Sequence, residues 1–110
     1  MTNKNYNRGY KVENKAVNLL KKEYLFDVVA RTAGSHSPID LVGFRESDGA
    51  IYIVQCKTDK KIVDKKNTER LRRIAQNCGK QRGKVYAFNV WPDRKAKGGL
   101  YWEPLNLFGS

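Results

Sequence analysis

The stretch Ile39-Asp40-Leu41-Val42-Gly43-Phe44-Arg45, then Glu46-Ser47-Asp48-Gly49, then Ala50-Ile51-Tyr52-Ile53-Val54-Gln55-Cys56-Lys57-Thr58 decides the fold. Two runs rich in β-branched and aromatic residues flank an Asp-Gly pair, the strongest short-range signal for a β-hairpin. Residues 39–45 and 50–58 are therefore predicted strands. Residues two apart on a strand share a face, so Gln55 and Lys57 point one way and Cys56 the other. Register decides which of them Asp40 joins. A two-residue turn at Asp48-Gly49 sets Asp40 opposite Lys57, and a four-residue loop from Glu46 to Gly49 sets it opposite Gln55. Both place Asp40, Gln55 and Lys57 on one face. An odd-length loop would put Asp40 with Cys56 instead.

Working outward, the first residues are rich in Asn and Lys, and residues 1–7 are expected to fray. Over residues 8–24 the positions Val12, Ala16, Val17, Leu19, Leu20 and Tyr24 follow helical spacing. Residues 26–30 suit a short strand, and Thr32-Ala33-Gly34-Ser35-His36-Ser37-Pro38 has loop composition. Beyond the hairpin a charged loop leads to a second helix. Its expected N-cap is Thr68, its apolar face is Leu71, Ile74, Ala75 and Cys78, and Gly79 is its expected end. Residues 85–90 form another strand closed by Trp91-Pro92, residues 93–99 a turn, and residues 100–103 a last strand. The order α-β-β-β-α-β-β describes an α/β fold, a mixed sheet flanked by helices. The 110 residues, without repeat or linker, fit a single domain spanning 1–110.

Composition narrows the function. Hydrophobic residues make up 40% of the chain, enough for a small core. Lys and Arg number 22 against 11 Asp and Glu, a net charge of +11. Residues 57–84 hold 11 basic and 3 acidic groups, hence +8 of that excess. So concentrated a charge fits a surface that tracks phosphates and gains from counterion release. The plainer alternative is a solvated face that keeps a small protein soluble. No apolar run reaches membrane-spanning length, and Met1 opens onto a polar stretch. Cys56 and Cys78 match neither a zinc spacing nor a disulfide scaffold, so an intracellular, cytoplasmic setting is expected.

An Asp, an amide oxygen and a Lys converging at a strand end suit metal-assisted phosphodiester cleavage. Mg²⁺ prefers hard oxygen ligands, which Asp40, the Gln55 carbonyl and the backbone oxygen of Cys56 would supply. Such a metal lowers the pKa of a bound water and neutralises charge on the phosphorane, and Lys57 would assist that water. The bland alternative is a surface salt bridge between Asp40 and Lys57. His36 is the lone histidine, in a loop, which argues against a Ser/His/Asp triad. Cys56 is expected in the core, not as a nucleophile, and Trp91 and Trp102 as packing residues.

Pro38-Ile39-Asp40, followed by Gln55-Cys56-Lys57, resembles the PD-(D/E)xK nuclease signature. Glu13 matches the additional acidic residue that many of those enzymes carry on the preceding helix. Within that superfamily the chain most resembles the archaeal-type Holliday junction resolvases, including those of viruses and phages. Arg8-Gly9-Tyr10-Lys11-Val12-Glu13 resembles their helical opening, Arg31-Thr32-Ala33-Gly34-Ser35 with Pro38-Ile39-Asp40 their active-site loop, and Ala75-Gln76-Asn77-Cys78-Gly79 their second helix. The similarity runs over residues 8–105.

The resemblance implies a restriction-endonuclease-like fold and a homodimer that resolves four-way DNA junctions by paired nicks. It implies Mg²⁺ or Mn²⁺ held by Glu13, Asp40, Gln55 and the Cys56 carbonyl, with Lys57 and Ser35 (or Ser37) at the cleaved phosphate. Phosphate contacts are expected from Arg8, Lys11, Arg31, Lys60, Lys61, Lys65 and Lys66. One departure is chemical: Gln55 stands where the usual residue is acidic, so one negative charge is missing. The alternatives are a nuclease of the same fold acting on other duplex DNA, and a DNA-binding module with weakened catalysis.

Overall fold

A computed structural model describes residues 4–32, 37–59 and 64–106, and for residues 4–10, 81 and 82 the backbone alone. Helix α1 (Lys4–Lys22) leads into strand β1 (Val28–Arg31), then β2 (Leu41–Phe44) and β3 (Ile51–Cys56). Helix α2 (Lys65–Arg82) follows, then β4 (Val85–Pro92) and β5 (Leu100–Pro104). The expected order of elements is the observed one. The strands form one sheet in the order β1-β2-β3-β4-β5. All neighbours are antiparallel except β3 and β4, which run parallel because α2 carries the chain back across the sheet.

Both faces of the sheet are covered. Val12, Ala16 and Leu20 of α1 pack with Phe26, Leu41, Val54, Val90 and Leu100. Leu71 and Ala75 of α2 pack with Ile53, Val85, Ala87 and Leu105. Leu20, Leu41 and Leu71 are fully buried, each contributing about 2 kcal/mol of transfer free energy. Gly43 lets the strand pass under Phe26: a Cβ there would sit 2.9 Å from the ring. The aromatic layer continues from Phe26 through Tyr52 and Phe88 to Trp102.

The helix boundaries differ most from expectation. Helix α1 begins at Lys4, ahead of its expected start at Arg8, and residues 1–3 lie outside the described residues. The cap of α2 is Asp64, not Thr68: its carboxylate accepts from the backbone N–H of Lys66 and Asn67, and an anion suits a helix N-terminus. Thr68 lies inside the helix with its hydroxyl used elsewhere. Gly79 does not end α2. The helix runs on to Arg82 and stops at Gly83, whose φ of 67° is left-handed and whose N–H donates to the Gly79 carbonyl at 2.6 Å.

Candidate functional site: two carboxylates at a bulged strand end

The β2–β3 hairpin takes the register of the four-residue loop. Leu41 pairs with Val54 and Phe44 with Ile51, and Arg45 N–H donates to the Ala50 carbonyl across the turn. Uniform alternation would then set Asp40 opposite Gln55. It does not, because the strand is not uniform there. Asp40 N–H donates to the Val54 carbonyl at 2.8 Å although Val54 is already the partner of Leu41. Two residues of one strand thus stand against one of the other, a β-bulge. In a regular strand one residue's N–H and C=O point to the same neighbour. Asp40 donates toward β3 yet accepts from Thr32 N–H on the β1 side at 3.0 Å. The packing agrees: Ile39 lies in the cluster under α2 and Leu41 in the cluster under α1, although they are two residues apart.

The bulge re-aims Asp40. Its carboxylate Oδ2 accepts from the backbone N–H of Cys56 at 2.7 Å. Burial pushes the Asp40 carboxyl above its ordinary value, against the Cys56 N–H and the Lys57 charge, which lower it. Glu13, half-buried on α1, is raised by burial and then by the Asp40 carboxylate, with Arg31 opposing. The Cys56 thiol is driven well above its ordinary range by burial, with Asp40 and Glu13 adding to the effect. These mutual influences bring Glu13, Asp40, Arg31 and Cys56 to one place on the α1 face, with Lys57 in electrostatic reach. Arg31 is itself steered by α1, donating to the side-chain oxygen of Asn14.

Gln55 is not part of that group. It alternates with Val54 and Cys56, which belong to the α1 side, and so turns with Ile51 and Ile53 toward α2. In the parallel ladder it pairs with Asn89, whose side-chain amide donates to Thr68 Oγ1 at 3.1 Å and to Glu103 Oε1 at 3.2 Å. Gln55 is 6% exposed, and its Oε1 is buried without a hydrogen-bond partner, as is Oδ1 of the fully buried Asn89. The expected convergence of Asp40, Gln55 and Lys57 on one face is corrected by the bulge: Asp40 goes with the Cys56 side.

Among the described residues no three His, Cys, Asp or Glu side chains form a metal-binding group. The donor set on the α1 face is two carboxylates, Glu13 and Asp40, with backbone oxygen nearby. That set suits Mg²⁺, which is commonly held by one or two carboxylates together with substrate phosphate. Burial first and the Asp40 carboxylate second raise Glu13, and a cation beside the two carboxylates relieves both costs.

Of the other predicted residues, Ser37 accepts from Ile39 N–H at 3.1 Å, the bond of a turn serine. Lys11, Lys65 and Lys66 are exposed. Ser35, His36, Lys60 and Lys61 lie outside the described residues, as does the side chain of Arg8. Trp91 is buried and Trp102 half-buried, as packing residues should be. Asn14 was missed. Only its position beside Glu13 on a helix face could have pointed to it. No described helix is long and apolar enough to cross a membrane.

No protein-family model matches the chain, and no curated protein sequence matches it. Among solved structures, Hjc, a Holliday junction resolvase from the archaeal hyperthermophile Archaeoglobus fulgidus, superimposes with a TM-score of 0.60 at 18% identity, over 89% of this chain and 73% of that one. A repair endonuclease from Pyrococcus abyssi superimposes with a TM-score of 0.48 at 22% identity, over 74% of this chain and 38% of that one. The chain shares its α/β fold with the first of these, the fold expected from the hairpin motif.

Proposed function

We propose that the protein is a metal-dependent endonuclease that cuts branched DNA, four-way junctions above all, by paired symmetric nicks. One observation carries the reading: the bulge at Asp40 turns a strand-end carboxylate away from its regular face and toward Glu13 on α1. A bulge kept next to a pair of carboxylates with raised pKa values is a feature of functional sites. The fold shared with a junction resolvase and the basic segment at residues 57–84 support the choice of DNA as substrate.

In this reading Glu13, Asp40 and the backbone oxygen of Cys56 hold Mg²⁺ or Mn²⁺. Such an ion, when bound, supplies Lewis acidity toward a phosphate oxygen and a water acidic enough to act near neutral pH. The chain's own groups do the positioning. The Cys56 N–H fixes one Asp40 oxygen and leaves the other for the ion. Arg31 and Lys57 bring positive charge to the phosphate that enters beside the two carboxylates. Further phosphate contacts come from the exposed Lys11 on α1 and Lys65 and Lys66 at the start of α2, and from Arg8, Lys60 and Lys61 of the same basic sequence. Gln55 takes no part in holding the ion. Two symmetric nicks need two sites related by a two-fold axis, so the active species is a homodimer.

The test is cleavage of a four-way junction and of linear duplex with the same arms, in Mg²⁺ and in Mn²⁺. Preferential nicking of the junction is the expected result. Equal cleavage of both substrates makes the protein a nuclease of duplex DNA, and binding without nicking in either metal makes it a DNA-binding module.

A further inference from the structure

A cleft of about 590 Å³ opens between α1 and the ends of β4 and β5. Its floor is apolar, from Val12, Pro92 and Leu100, and its rim carries Lys11, Asn14, Lys15 and Asn18 from α1 and Thr58 from the loop after β3. This cleft adjoins the site: Val12 precedes Glu13 on the helix, and Thr58 follows Lys57. Lys15 reaches from α1 across to the β4–β5 turn, where its ammonium lies against Gly99. A Cβ on Gly99 would stand 3.0 Å from Nζ.

Each part of the lining suits one part of a nucleotide. Two ammonium groups suit a phosphate. An apolar floor of Val12, Pro92 and Leu100 suits the face of a base, which gains from van der Waals contact and burial whatever its identity. An exposed Asn amide both donates and accepts, as the edge of a base does. A base paired within a duplex presents no free face to such a cleft, whereas a base at a branch point is already partly unstacked and cheaper to turn out. We propose that the cleft between α1 and the β4–β5 turn receives one unstacked nucleotide of the DNA strand, next to the phosphate that is cut. The inference rests on the nuclease reading and deepens it. Junctions are then selected not only by the path of their phosphates but by the ease with which one base leaves its stack.

The experiment is amide chemical-shift mapping of the full-length ¹⁵N-labelled protein in chelator, so that no cleavage intervenes. The probes are thymidine 3′,5′-bisphosphate, thymidine and inorganic phosphate. The bisphosphate is expected to shift the amides of Lys11, Lys15, Asn18, Thr58 and Leu100 saturably, and more tightly than either fragment. Lys15→Ala and Asn18→Ala should each weaken that binding by about fivefold. Shifts produced equally by inorganic phosphate reduce the cleft to an anion site and overturn the assignment. So do shifts confined to residues 65–84, or none at all. Junction cleavage by the parent protein is measured alongside. If junctions are cut and no nucleotide enters the cleft, the inference falls and the nuclease reading stands. If junctions stay intact and the nucleotide shifts these amides, the nuclease reading falls and the subsite stands.

Discussion

Around Val54 the sheet carries polar side chains on both faces, and the two sets are built to opposite specifications. On the α1 face Glu13 and Asp40 are ionisable groups pushed together in a partly buried place, each raised in pKa. On the α2 face Gln55, Asn89 and Thr68 are neutral and buried, and the Asn89 amide donates to both Thr68 and the Glu103 carboxylate. The first arrangement is costly without a counter-charge and is relieved by one. The second needs no ion; its residual cost is two unpaired amide oxygens. A single rung of the parallel ladder, Val54 with Phe88, separates the aliphatic pair of Ile53 and Ala87 from this amide pair. The division between the faces is made by a single backbone irregularity at Asp40.

The sharpest way to break this contrast is to remove charge from one side. Asp40→Asn should lower single-turnover junction cleavage by roughly 10²–10³-fold, while junction binding, followed by anisotropy, stays level or tightens because a repulsive anion is gone. Cleavage at the parental rate would mean that the α1 face is not the reacting one.

A smaller effect is expected from changing the other side. Gln55→Glu puts a carboxylate beside Asn89 under α2 and should cost about 2 kcal/mol in urea unfolding, without lowering the Mg²⁺ concentration for half-maximal cleavage. Gln55→Leu removes the unpaired oxygen and should be neutral or stabilising by up to about 1 kcal/mol. A lower Mg²⁺ half-point in the Glu variant would return Gln55 to the metal and erase the distinction between the faces.

The smallest effect is in stability against pH. Asp40 and Glu13 have folded pKa values above the ordinary 3.8 and 4.5, so the folded protein holds these protons more tightly than the unfolded chain. Their stabilising contribution is complete below the unfolded values and is lost as pH rises through the folded ones. In chelator, the Tm advantage of Asp40→Asn over the parent should grow by a few degrees from about pH 4 to pH 7. Millimolar Mg²⁺ should then shrink it. Asp48, held down to about 2 by Arg45, acts with the opposite sign but is common to both proteins and cancels in the difference. An advantage that does not vary with pH would mean that Asp40 is not buried as described.

Much of the fold is legible in the residues because each element has a periodic apolar face. Val12, Ala16 and Leu20 announce α1, Leu71 and Ala75 announce α2, and Asp48-Gly49 announces the hairpin, whose register between a two- and a four-residue turn only the structure decides. The ends were less legible. Gly79 looks like a stop, yet an interior glycine costs only about 1 kcal/mol, and Gly83 offers the left-handed cap. Asp64 outcompetes Thr68 as cap because a full charge meets the helix N-terminus. The bulge left no mark in the pattern. Ile39-Asp40-Leu41 reads as regular alternation, and only the long-range hydrogen bonds of Asp40 to Val54 and Thr32 show that it is broken. The carboxylates of the site were therefore found by type, and their grouping was set by geometry that period-two reasoning does not contain.

Helix α1 rests against all five strands, and its residues Val12, Ala16 and Leu20 share one cluster with Leu100 of β5. The apolar face of α1 is thus fully covered only when β5 is in place beside the other four strands. Without β5, α1 would lose part of that cover, and Glu13 would be held less firmly beside Asp40. A chain cut before β5 would keep the hairpin and the basic segment but leave part of the α1 face, and with it the seating of Glu13, uncovered.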